Sequence, residues 1–552
     1  MNVIGAEPDV TEGKPAAIGT RLSCDYPITS ALLGKWICLF VLVASGSAFA
    51  EVKSPLVEGL PSGKFGFYLD GIEVPVIAYK DIHYARFALA GTAQVRVVTK
   101  DGPVTTARIQ PTAYGISHLI EGNAVNFTIA RPMALVVQLD FREKLFLFAD
   151  PPAESAPEDA VDATTLGAIG DGKTDNTAIL QAAIDTLPMG GTLVLPAGHF
   201  RSGSLRLRSA MRLHLSSGAF LHALDDHTRI TPIPGSTAFI GFLSGSDLHD
   251  VAITGAGTID ANGYVVRKAY EAALGIKKQA GRLLYLRDSK NISIRGVTLR
   301  DSYSWNVQFL RCDEVSVSWI KILSDVRLSN HDGIDVVGCS NVEVADSFLF
   351  CEDDGITPKA AEDREVAENQ VYRNLVIWAH KANGIRIGSE SACRVMRHFR
   401  FEDIHILNGS NGIRLDTTEG AIYEDFTFRN VRIEDLLQHY DERYERNRER
   451  RMIEENSHAL VLFVTRESTK APLGAIRRIT FDGLHWNDAR YRARIDMPDA
   501  IIRALSEEKI APPVTDILFR SCTVAGKPVR TAADFGMKAN DGILSERVRF
   551  EP

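Results

Sequence analysis

The feature that most constrains this chain is a series of strand-length apolar segments that recurs along the second half of the sequence. The segments return at intervals of about 22–29 residues, which is the spacing of a solenoid repeat. A solenoid repeat cannot bury its apolar face alone and must stack on its neighbours. Because no helical pattern separates the segments, we predict a parallel β-helix with one repeat per coil. The segments are "NISIRGVTL" (from 291), "EVSVSWIKI" (314), "NVEVADSFLF" (341), "VYRNLVIW" (371), "FRFEDIHIL" (399) and "FTFRNVRIEDL" (426).

A second repeat lies between these segments and predicts which side chains share a face. Aligning "SWNVQF", "HDGIDV", "DDGITP", "ANGIRI" and "SNGIRL" gives an inward apolar ladder of Val307, Ile334, Ile356, Ile385 and Ile413. Two positions earlier, the outward column holds Trp305, Asp332, Asp354, Asn383 and Asn411. Adjacent parallel strands lie ~4.8 Å apart. We therefore expect Asp332 beside Asp354, and Arg386 beside Arg414.

Changes in the pattern of apolar and turn residues divide the chain into segments. Residues 51–150 alternate short strand patterns with turn residues, which predicts an N-terminal β-sandwich domain. Residues 151–160, "PPAESAPEDA", form a linker. The parallel β-helix catalytic domain follows at 161–552 and opens with one predicted helix, capped by Asp175 or Asn176, after which only strand patterns appear. A mixed-charge, helical insertion is predicted at about 436–458, either as a solvated surface segment or as a wall of a substrate cleft.

The first 50 residues read as a targeting segment. Basic residues precede a short apolar core at 37–44, and Ala48-Phe49-Ala50 follows as a small-x-small cleavage pattern. We exclude 1–50 from the fold as a signal peptide with an extended leader, and expect cleavage after Ala50 and a secreted or periplasmic protein without a membrane segment. The net charge of −8 argues against nucleic acid as a partner. Of seven cysteines, five remain after cleavage, and neither a disulfide framework nor a CxxC metal spacing is present.

Three acids carry the predicted chemistry. Asp353 and Asp354 stand together in "FCEDDGITPKA", and Asp332 lies one coil away in the outward column. Gly355 allows the turn that both neighbouring acids need to face one side. Carboxyl groups this close cannot all ionise freely, so at least one is expected to have a raised pKa. A proton donor beside ionised carboxylates is what acid–base cleavage of a glycosidic bond requires. Histidines at metal-ligand spacing are absent from this group, and we predict no metal and no other cofactor.

These motifs resemble glycoside hydrolase family 28, the polygalacturonase family of right-handed parallel β-helix enzymes, over about 161–435. The segments "LGAIGDGKTDNTAILQAAID", "GGTLVLPAG" and "GTIDANG" resemble its opening. The family's Asn-Thr-Asp element corresponds to Asn330-His331-Asp332, Gly-Asp-Asp to Glu352-Asp353-Asp354, and Arg-Ile-Lys to Arg414-Leu415-Asp416. The resemblance implies inverting hydrolysis, with carboxyls ~6.5–9.5 Å apart. It makes Asp353 the general acid, makes Asp332 and Asp354 the groups that activate water, and places Arg414 on the substrate.

The sequence also departs from the family pattern. Asn383 stands where the family has a histidine, and Asp416 replaces its lysine, which we expect to repel a carboxylated sugar. Arg386 either restores positive charge there or pairs with Asp416. With Asn330 and with Trp305, which either stacks on a sugar or packs against the insertion, these residues form the predicted substrate-binding set. Glu352 is predicted to be either a bystander or a residue that supports the acids without contacting the substrate.

Four functions remain open. The leading one is hydrolysis of a pectic polysaccharide or oligosaccharide, of galacturonan or rhamnogalacturonan type. A dextranase-like hydrolase, which resembles this chain in its β-sandwich and three aspartates, would cleave a neutral glucan. A calcium-dependent lyase would use the acids as ligands. A carbohydrate-binding β-helix would lack activity.

Overall fold

The computed structural model describes residues 59–140, 144–276, 280–360, 365–388, 390–391, 394–436, 457–465, 472–488, 492–496, 513–539 and 547–552. The predicted signal peptide, most of the predicted insertion, and Cys24, Cys38 and Cys393 lie outside these residues. The described residues belong to one compact unit. None of the helices described is long and apolar enough to cross a membrane. The four cysteines described, Cys312, Cys339, Cys351 and Cys522, are buried.

The N-terminal region consists of two sheets packed face to face. Alternating residues of both sheets, such as Phe67, Val97, Phe87 and Leu147, form one buried core. Strand pairs are antiparallel apart from one parallel pair, Ile82–Ala88 with Lys144–Asp150. One sheet contains Leu60–Pro61, Ile77–Tyr79, Ile82–Ala88, Lys144–Asp150, Met133–Leu139 and Ala107–Gln110; the other contains Ile72–Val74, Phe65–Leu69, Ala93–Thr99, Ala124–Ile129 and His118–Glu121. This arrangement agrees with the predicted sandwich, whose boundaries stay predictions.

The rest of the described chain winds into a parallel β-helix, which confirms the predicted fold. One face is a 12-stranded sheet of Leu205–Arg206, Thr231–Pro232, Ile240–Ser246, Gly281–Arg287, Val307–Leu310, Ile334–Val337, Ile356–Lys359, Asn383–Gly388, Asn411–Thr417, His458–Val464, Arg492–Asp496 and Lys538–Ala539. We call this the cleft sheet. Its register pairs Val307 with Ile334, Ile334 with Ile356, Ile356 with Ile385 and Ile385 with Ile413, as the repeat predicted. All five are fully buried.

The other faces belong to a 24-stranded sheet with two parallel ladders. The first ladder contains Val161–Asp162, Gly191–Leu195, Met211–Leu215, His249–Gly255, Lys290–Arg295, Asp313–Ser318, Ser340–Ala345, Val366–Arg373, Val395–Glu402, Ile422–Ile433, Ala475–Trp486, Val514–Arg520 and Val548–Glu551. The second contains Asp171–Asp175, Gly198–Ser202, Ala219–Ala223, Thr258–Asp260, Thr298–Arg300, Lys321–Leu323, Phe348–Cys351, Val376–Ala379 and His405–Asn408. Short strands Thr523–Val524 and Lys527–Pro528 complete the sheet.

Within the described residues, two α-helices and three short 3₁₀ helices interrupt the strands. The predicted first helix is Thr177–Thr186; Asn176 occupies its N-cap, and Asp175 accepts the Thr177 backbone N–H at 2.9 Å. The 3₁₀ helices are Thr112–Tyr114, Ala163–Leu166 and His227–Arg229. The prediction that only strands follow the first helix is wrong, because Gly263–Leu274 is also helical. Its sequence, "GYVVRKAYEAAL", has good helix formers and few turn residues.

The sandwich packs against the β-helix through an aromatic cluster. Phe146 of the sandwich lies 5.1 Å from Phe348 and 5.3 Å from Phe350, measured between ring centroids. Polar contacts flank the cluster: Glu434 of the β-helix is buried and accepts hydrogen bonds from Gln110 at 3.0 Å and from Arg108 at 3.2 Å. Strand Phe348–Cys351 therefore carries the interface on one side and runs directly into the Glu352–Asp354 turn.

Candidate active site

The three predicted acids meet on the outer face of the cleft sheet. One carboxylate oxygen each from Asp332, Asp353 and Asp354 lies within 4.8 Å of the other two. Asp332 and Asp354 each precede a strand of the cleft sheet and are buried, whereas Asp353 is partly exposed. The backbone N–H groups of Glu352 and Asp353 donate to the His331 carbonyl at 3.2 and 3.3 Å, which fixes the turn against the neighbouring coil.

Glycines bring the two coils into contact beside these acids. The Gly333 N–H donates to the Asp354 carbonyl at 2.8 Å. A β-carbon at Gly333 would lie 2.3 Å from the Gly355 carbonyl oxygen, and one at Gly355 would lie 2.5 Å from the Gly384 carbonyl oxygen. Both distances are shorter than any real contact, so the close spacing of the coils depends on the missing side chains.

Burial and crowding raise the pKa of two of the acids. Burial, followed by the charges of Asp354 and Glu352, raises the pKa of Asp353 to about 7. Burial also raises the pKa of Asp332 well above its usual value, and the neighbouring carboxylates of Asp335, Asp353 and Asp354 add to the shift. Removing a carboxylate from water and placing it beside like charges both favour its protonated form. The cluster therefore holds at least one proton near neutral pH.

Asp354 has the opposite surroundings. Its Oδ1 accepts hydrogen bonds from the backbone N–H of Asn383 at 2.9 Å and from Asn383 Nδ2 at 2.5 Å. Its Oδ2 lies 3.3 Å from Nη1 of Arg386. Amide donors and a guanidinium are partners of a charged carboxylate. Asn383, which stands where the resembling family has a histidine, thus holds an acid of the cluster in place, and its own Oδ1 accepts from Asn411 at 2.8 Å.

The arginines on the C-terminal side of the cluster are paired with acids. Arg386 bridges Asp354 and Asp416, with Nη2 3.1 Å from Oδ2 of Asp416. Arg414 Nε lies 3.1 Å from the same oxygen. Of the two alternatives for Arg386, the structure shows pairing with Asp416. Arg386 and Arg414 remain 28% and 30% exposed, so their edges still face the cleft.

The other predicted residues have the following surroundings. Asn330 is half-buried, with a positive φ of 64° at the end of the loop that leads to Asp332. Glu352 is buried and pairs with Lys381 at 2.8 Å, and its charge is one of those that raise the pKa of Asp353. Trp305 has the Arg282 guanidinium carbon 4.0 Å and Lys359 Nζ 3.8 Å from its ring centroid. Two cations on the same face would repel each other, so we infer that they cover opposite faces. Trp305 therefore offers a sugar its edge rather than a face.

Several residues around the site were not predicted. Asp335 is fully buried, and Lys359 Nζ lies 3.2 Å from its Oδ1. Burial raises the pKa of Asp335 to about 6, although Lys359 and Arg282 oppose the shift. Arg267, on the helix that was missed, donates to the Ser329 carbonyl at 2.9 Å and so supports the loop before Asp332. The outward column could have indicated Arg282, and the position directly after the apolar ladder could have indicated Asp335. Nothing in the local sequence indicated Arg267.

The acid cluster has the spacing of a cation site but few of its ligands. Calcium binds oxygens at ~2.3–2.6 Å and takes six to eight of them, and three oxygens within 4.8 Å of one another can reach one such ion. Asp354, however, already accepts from Arg386 and from two donors of Asn383. A fixed guanidinium beside the ion would oppose its charge, so the described residues fit acid–base chemistry better than a metal.

Comparison with known proteins supplies the family context. Residues 193–446 match the model of glycosyl hydrolases family 28. A probable polygalacturonase of Vitis vinifera is 32% identical over 278 residues, which cover 46% of this chain and 56% of the relative. An endo-polygalacturonase of Pectobacterium carotovorum subsp. carotovorum is 26% identical over 284 residues, 46% of this chain and 69% of the relative. The chain thus spans little more than half the length of the grapevine protein.

Solved structures with low sequence identity share the fold. Polygalacturonase from Erwinia carotovora ssp. carotovora superposes with a TM-score of 0.50 at 17% identity, covering 72% of this chain and 98% of that protein. Dex49A from Penicillium minioluteum superposes with a TM-score of 0.54 at 11% identity, covering 91% of this chain and 96% of that protein. At such identities the likeness concerns the architecture alone.

Proposed function

We propose that the chain is a member of glycosyl hydrolases family 28, whose model matches residues 193–446, and that it hydrolyses the glycosidic bonds of a pectic polysaccharide or oligosaccharide. The observation that carries this proposal is the cluster of Asp332, Asp353 and Asp354 on one face of the β-helix, with one oxygen of each within 4.8 Å of the others. The relatives' names include polygalacturonases from a plant and a bacterium. Galacturonan and rhamnogalacturonan are the substrate types we propose.

Asp353 is the proposed general acid. It is the most exposed of the three acids, and burial together with its acidic neighbours raises its pKa to about 7. A carboxyl with such a pKa is still protonated near neutral pH and can donate to the leaving oxygen. Asp332 and Asp354 are both buried and have less access to the cleft.

Asp354, assisted by Asp332, is the proposed base. The Asn383 and Arg386 donors hold the Asp354 carboxylate in one orientation. A water within hydrogen-bonding distance of two oxygens can bridge a separation of up to 4.8 Å. Asp332 has a raised pKa and shares the proton of the cluster, so Asp354 is the stronger candidate to accept a proton from that water.

The stereochemical outcome needs a direct measurement. The expected carboxyl separation of ~6.5–9.5 Å for inverting enzymes stays a prediction, because the 4.8 Å limit applies to one oxygen of each acid and not to the whole carboxyl groups. We still propose inversion, because a third carboxylate, held by Asn383 and Arg386, is suited to orienting a water rather than to forming a bond with the sugar.

A neutral glucan is the second candidate substrate. On the C-terminal side of the cluster, Arg386 pairs with Asp354 and Asp416, and Arg414 pairs with Asp416. A subsite of this kind suits an uncharged sugar. A polysaccharide panel that contains homogalacturonan, rhamnogalacturonan and dextran separates the candidates.

Secretion is part of the proposal. It is supported by the apolar segment at 37–44 and by the Ala48-Phe49-Ala50 pattern. Sequencing the N-terminus of the protein recovered from culture medium or periplasm would test cleavage after Ala50.

The decisive variant is Asp353→Asn, which removes the proton donor while keeping the shape of the side chain. We expect the release of reducing ends to fall by about 10²–10⁴-fold, the usual contribution of a general acid. Asp313→Asn is the matched control, because Asp313 lies on the first ladder of the 24-stranded sheet, away from the cleft sheet. NMR of the first product anomer reports inversion or retention, with chelator present to exclude calcium-dependent lysis. Undiminished turnover by Asp353→Asn would overturn the assignment.

A further inference from the structure

Positive charge is distributed unevenly along the cleft sheet. On the C-terminal side of the acid cluster, Arg386 and Arg414 share the carboxylate of Asp416. On the coil of Asp354 itself, Lys359 pairs with Asp335 at 3.2 Å and with Glu390 at 3.0 Å. Arg282 differs from all of these cations: among the described residues, no carboxylate lies within ion-pairing distance of its guanidinium.

Arg282 is also held rigidly. Nε donates to Oε1 of Gln308 at 2.5 Å, and Nη1 donates to the Gly281 carbonyl at 3.0 Å and to Ser304 Oγ at 3.1 Å. The rings of Trp305 and Phe239 lie 4.0 and 4.9 Å from its guanidinium carbon. The two rings cover the faces of the guanidinium, and Nε and Nη1 already donate hydrogen bonds. Nη2 is therefore the nitrogen that remains available to a ligand.

Burial makes this arrangement costly without a counterion. Arg282 is 4% exposed, and burial lowers its pKa to about 10, although Asp335 and Asp332 oppose the shift at longer range. A buried charge is normally paired, and a guanidinium with one free edge matches the geometry of a carboxylate. Among the described residues, Arg282 donates only to neutral acceptors. The partner that its remaining edge suits is therefore a carboxylate from a bound ligand.

The position of Arg282 places that anion on the path of the substrate. Through the register of the strands, Arg282 occupies the same outward column as Trp305 and Asp332, two coils before Asp332. At ~4.8 Å per coil this is about 10 Å along the cleft. A polysaccharide that lies over the acid cluster and continues toward the N-terminal side passes this guanidinium.

We propose that Arg282 binds the carboxylate of a uronic acid residue on the N-terminal side of the cleaved bond, and thereby determines specificity for an acidic glycan. This rests on the proposed function and adds the location and chemical class of one sugar. The side occupied by Asp416 receives a neutral sugar. Asp416 and Arg282 together select a bond that has a uronate on one side and an uncharged residue on the other.

The test uses one pectic backbone in two forms, with its carboxylates intact or reduced to primary alcohols. Wild type, Arg282→Gln and Arg282→Lys are compared by kcat/KM on both polymers. We expect Arg282→Gln to lose about tenfold or more on the acidic polymer, as for a lost hydrogen bond between charged groups, and to stay within about twofold on the reduced polymer. Arg282→Lys keeps the positive charge but lacks the planar set of N–H donors, so its kcat/KM on the acidic polymer should fall less than that of Arg282→Gln. Arg295→Gln, at an exposed arginine of the 24-stranded sheet, is the matched control.

Each outcome has a distinct meaning. Activity of Arg282→Gln on the reduced polymer shows that the variant is folded, and a selective loss on the acidic polymer supports the proposal. An equal loss on both polymers, or no loss on either, overturns it while leaving the proposed hydrolase intact. If wild type cleaves neither polymer, the proposed function fails. Calorimetric titration with galacturonate oligomers then decides the inference, because wild type must bind them more tightly than Arg282→Gln.

Discussion

At the scale of the residue, the site is organised by what surrounds each carboxyl rather than by the carboxyls themselves. Asp353 and Asp354 are neighbours in sequence, yet Asp354 faces Asn383 and Arg386, whereas Asp353 faces other acids. One environment stabilises an anion and the other stabilises a proton. The proposed acid and the proposed base are thus two adjacent aspartates in different environments.

The pH dependence of activity follows from the same contrast. The pKa of Asp353 is raised to about 7, and the general acid must be protonated to work. We therefore expect kcat/KM to fall as pH rises through about 7, by about tenfold per unit well above it. The variant Glu352→Gln removes a charge that raises the pKa of Asp353, so the fall of kcat/KM should begin at a lower pH. A pH–rate profile that stays flat up to pH 9 would show that Asp353 is not the proton donor.

The sequence predicted which residues of the site lie side by side wherever the strand register alone decides it. The apolar ladder through Ile334 and Ile356 aligns the coils, so the adjacency of Asp332 and Asp354 could be read from spacing. The pairing of Arg386 with Asp416 depends on how long side chains bend across coils, which spacing does not determine. The free edge of Arg282 depends on Gln308, Ser304 and two rings together, and no single motif encodes it.

At the scale of the element, the strands were predictable because every coil repeats the same sequence period. The helices do not follow that period. Inward residues pack directly on their counterparts in the next coil, so one pattern is reinforced many times. Helix Gly263–Leu274 occurs once, and it sits between strands of the repeat. Its amphipathic pattern covers only a few turns, so it could be recognised only from its local composition.

The ladder predicts a large cost for a single truncation. Ile356 is fully buried and packs between Ile334 and Ile385. We expect Ile356→Ala to lower the free energy of unfolding by about 2–5 kcal/mol, because it leaves a cavity in a core that cannot collapse. Ile72→Ala is the matched control, since Ile72 is 46% exposed in the sandwich and should change stability by less than about 0.5 kcal/mol. Urea unfolding measures both, and equal midpoints would contradict the ladder.

At the scale of the whole molecule, the sandwich and the β-helix share an apolar interface that reaches the site. Phe146 contacts Phe348 and Phe350, and the strand that carries these two residues ends at Cys351, just before the acidic turn. The interface therefore stabilises the segment that positions Asp353 and Asp354. The change in strand pattern along the sequence predicted an N-terminal sandwich and a β-helix. It did not predict the surface through which they contact each other, because the aromatic residues of both parts could equally have belonged to their own cores.

Phe146→Ala tests this connection. The side chain is fully buried, and its truncation should cost about 3–5 kcal/mol in stability. Because the cavity opens against strand Phe348–Cys351, we expect kcat to fall as well at temperatures where the variant is folded. Phe127→Ala, in the sandwich core away from the interface, is the control and should lose stability without losing kcat. Equal kcat values for the two variants would show that the interface does not affect the site.

The stacking of coils has a consequence for how such a molecule changes over evolutionary time. The proposed acids occupy two adjacent turns of the solenoid, and Asn383 and Arg386 on the next turn hold one of them, whereas the proposed polymer would lie across more turns. A substitution at a turn beyond these would alter one point of contact along the glycan and leave bond cleavage unchanged. Preference for a new polysaccharide can therefore arise stepwise, one turn at a time, while the reaction itself is inherited unchanged.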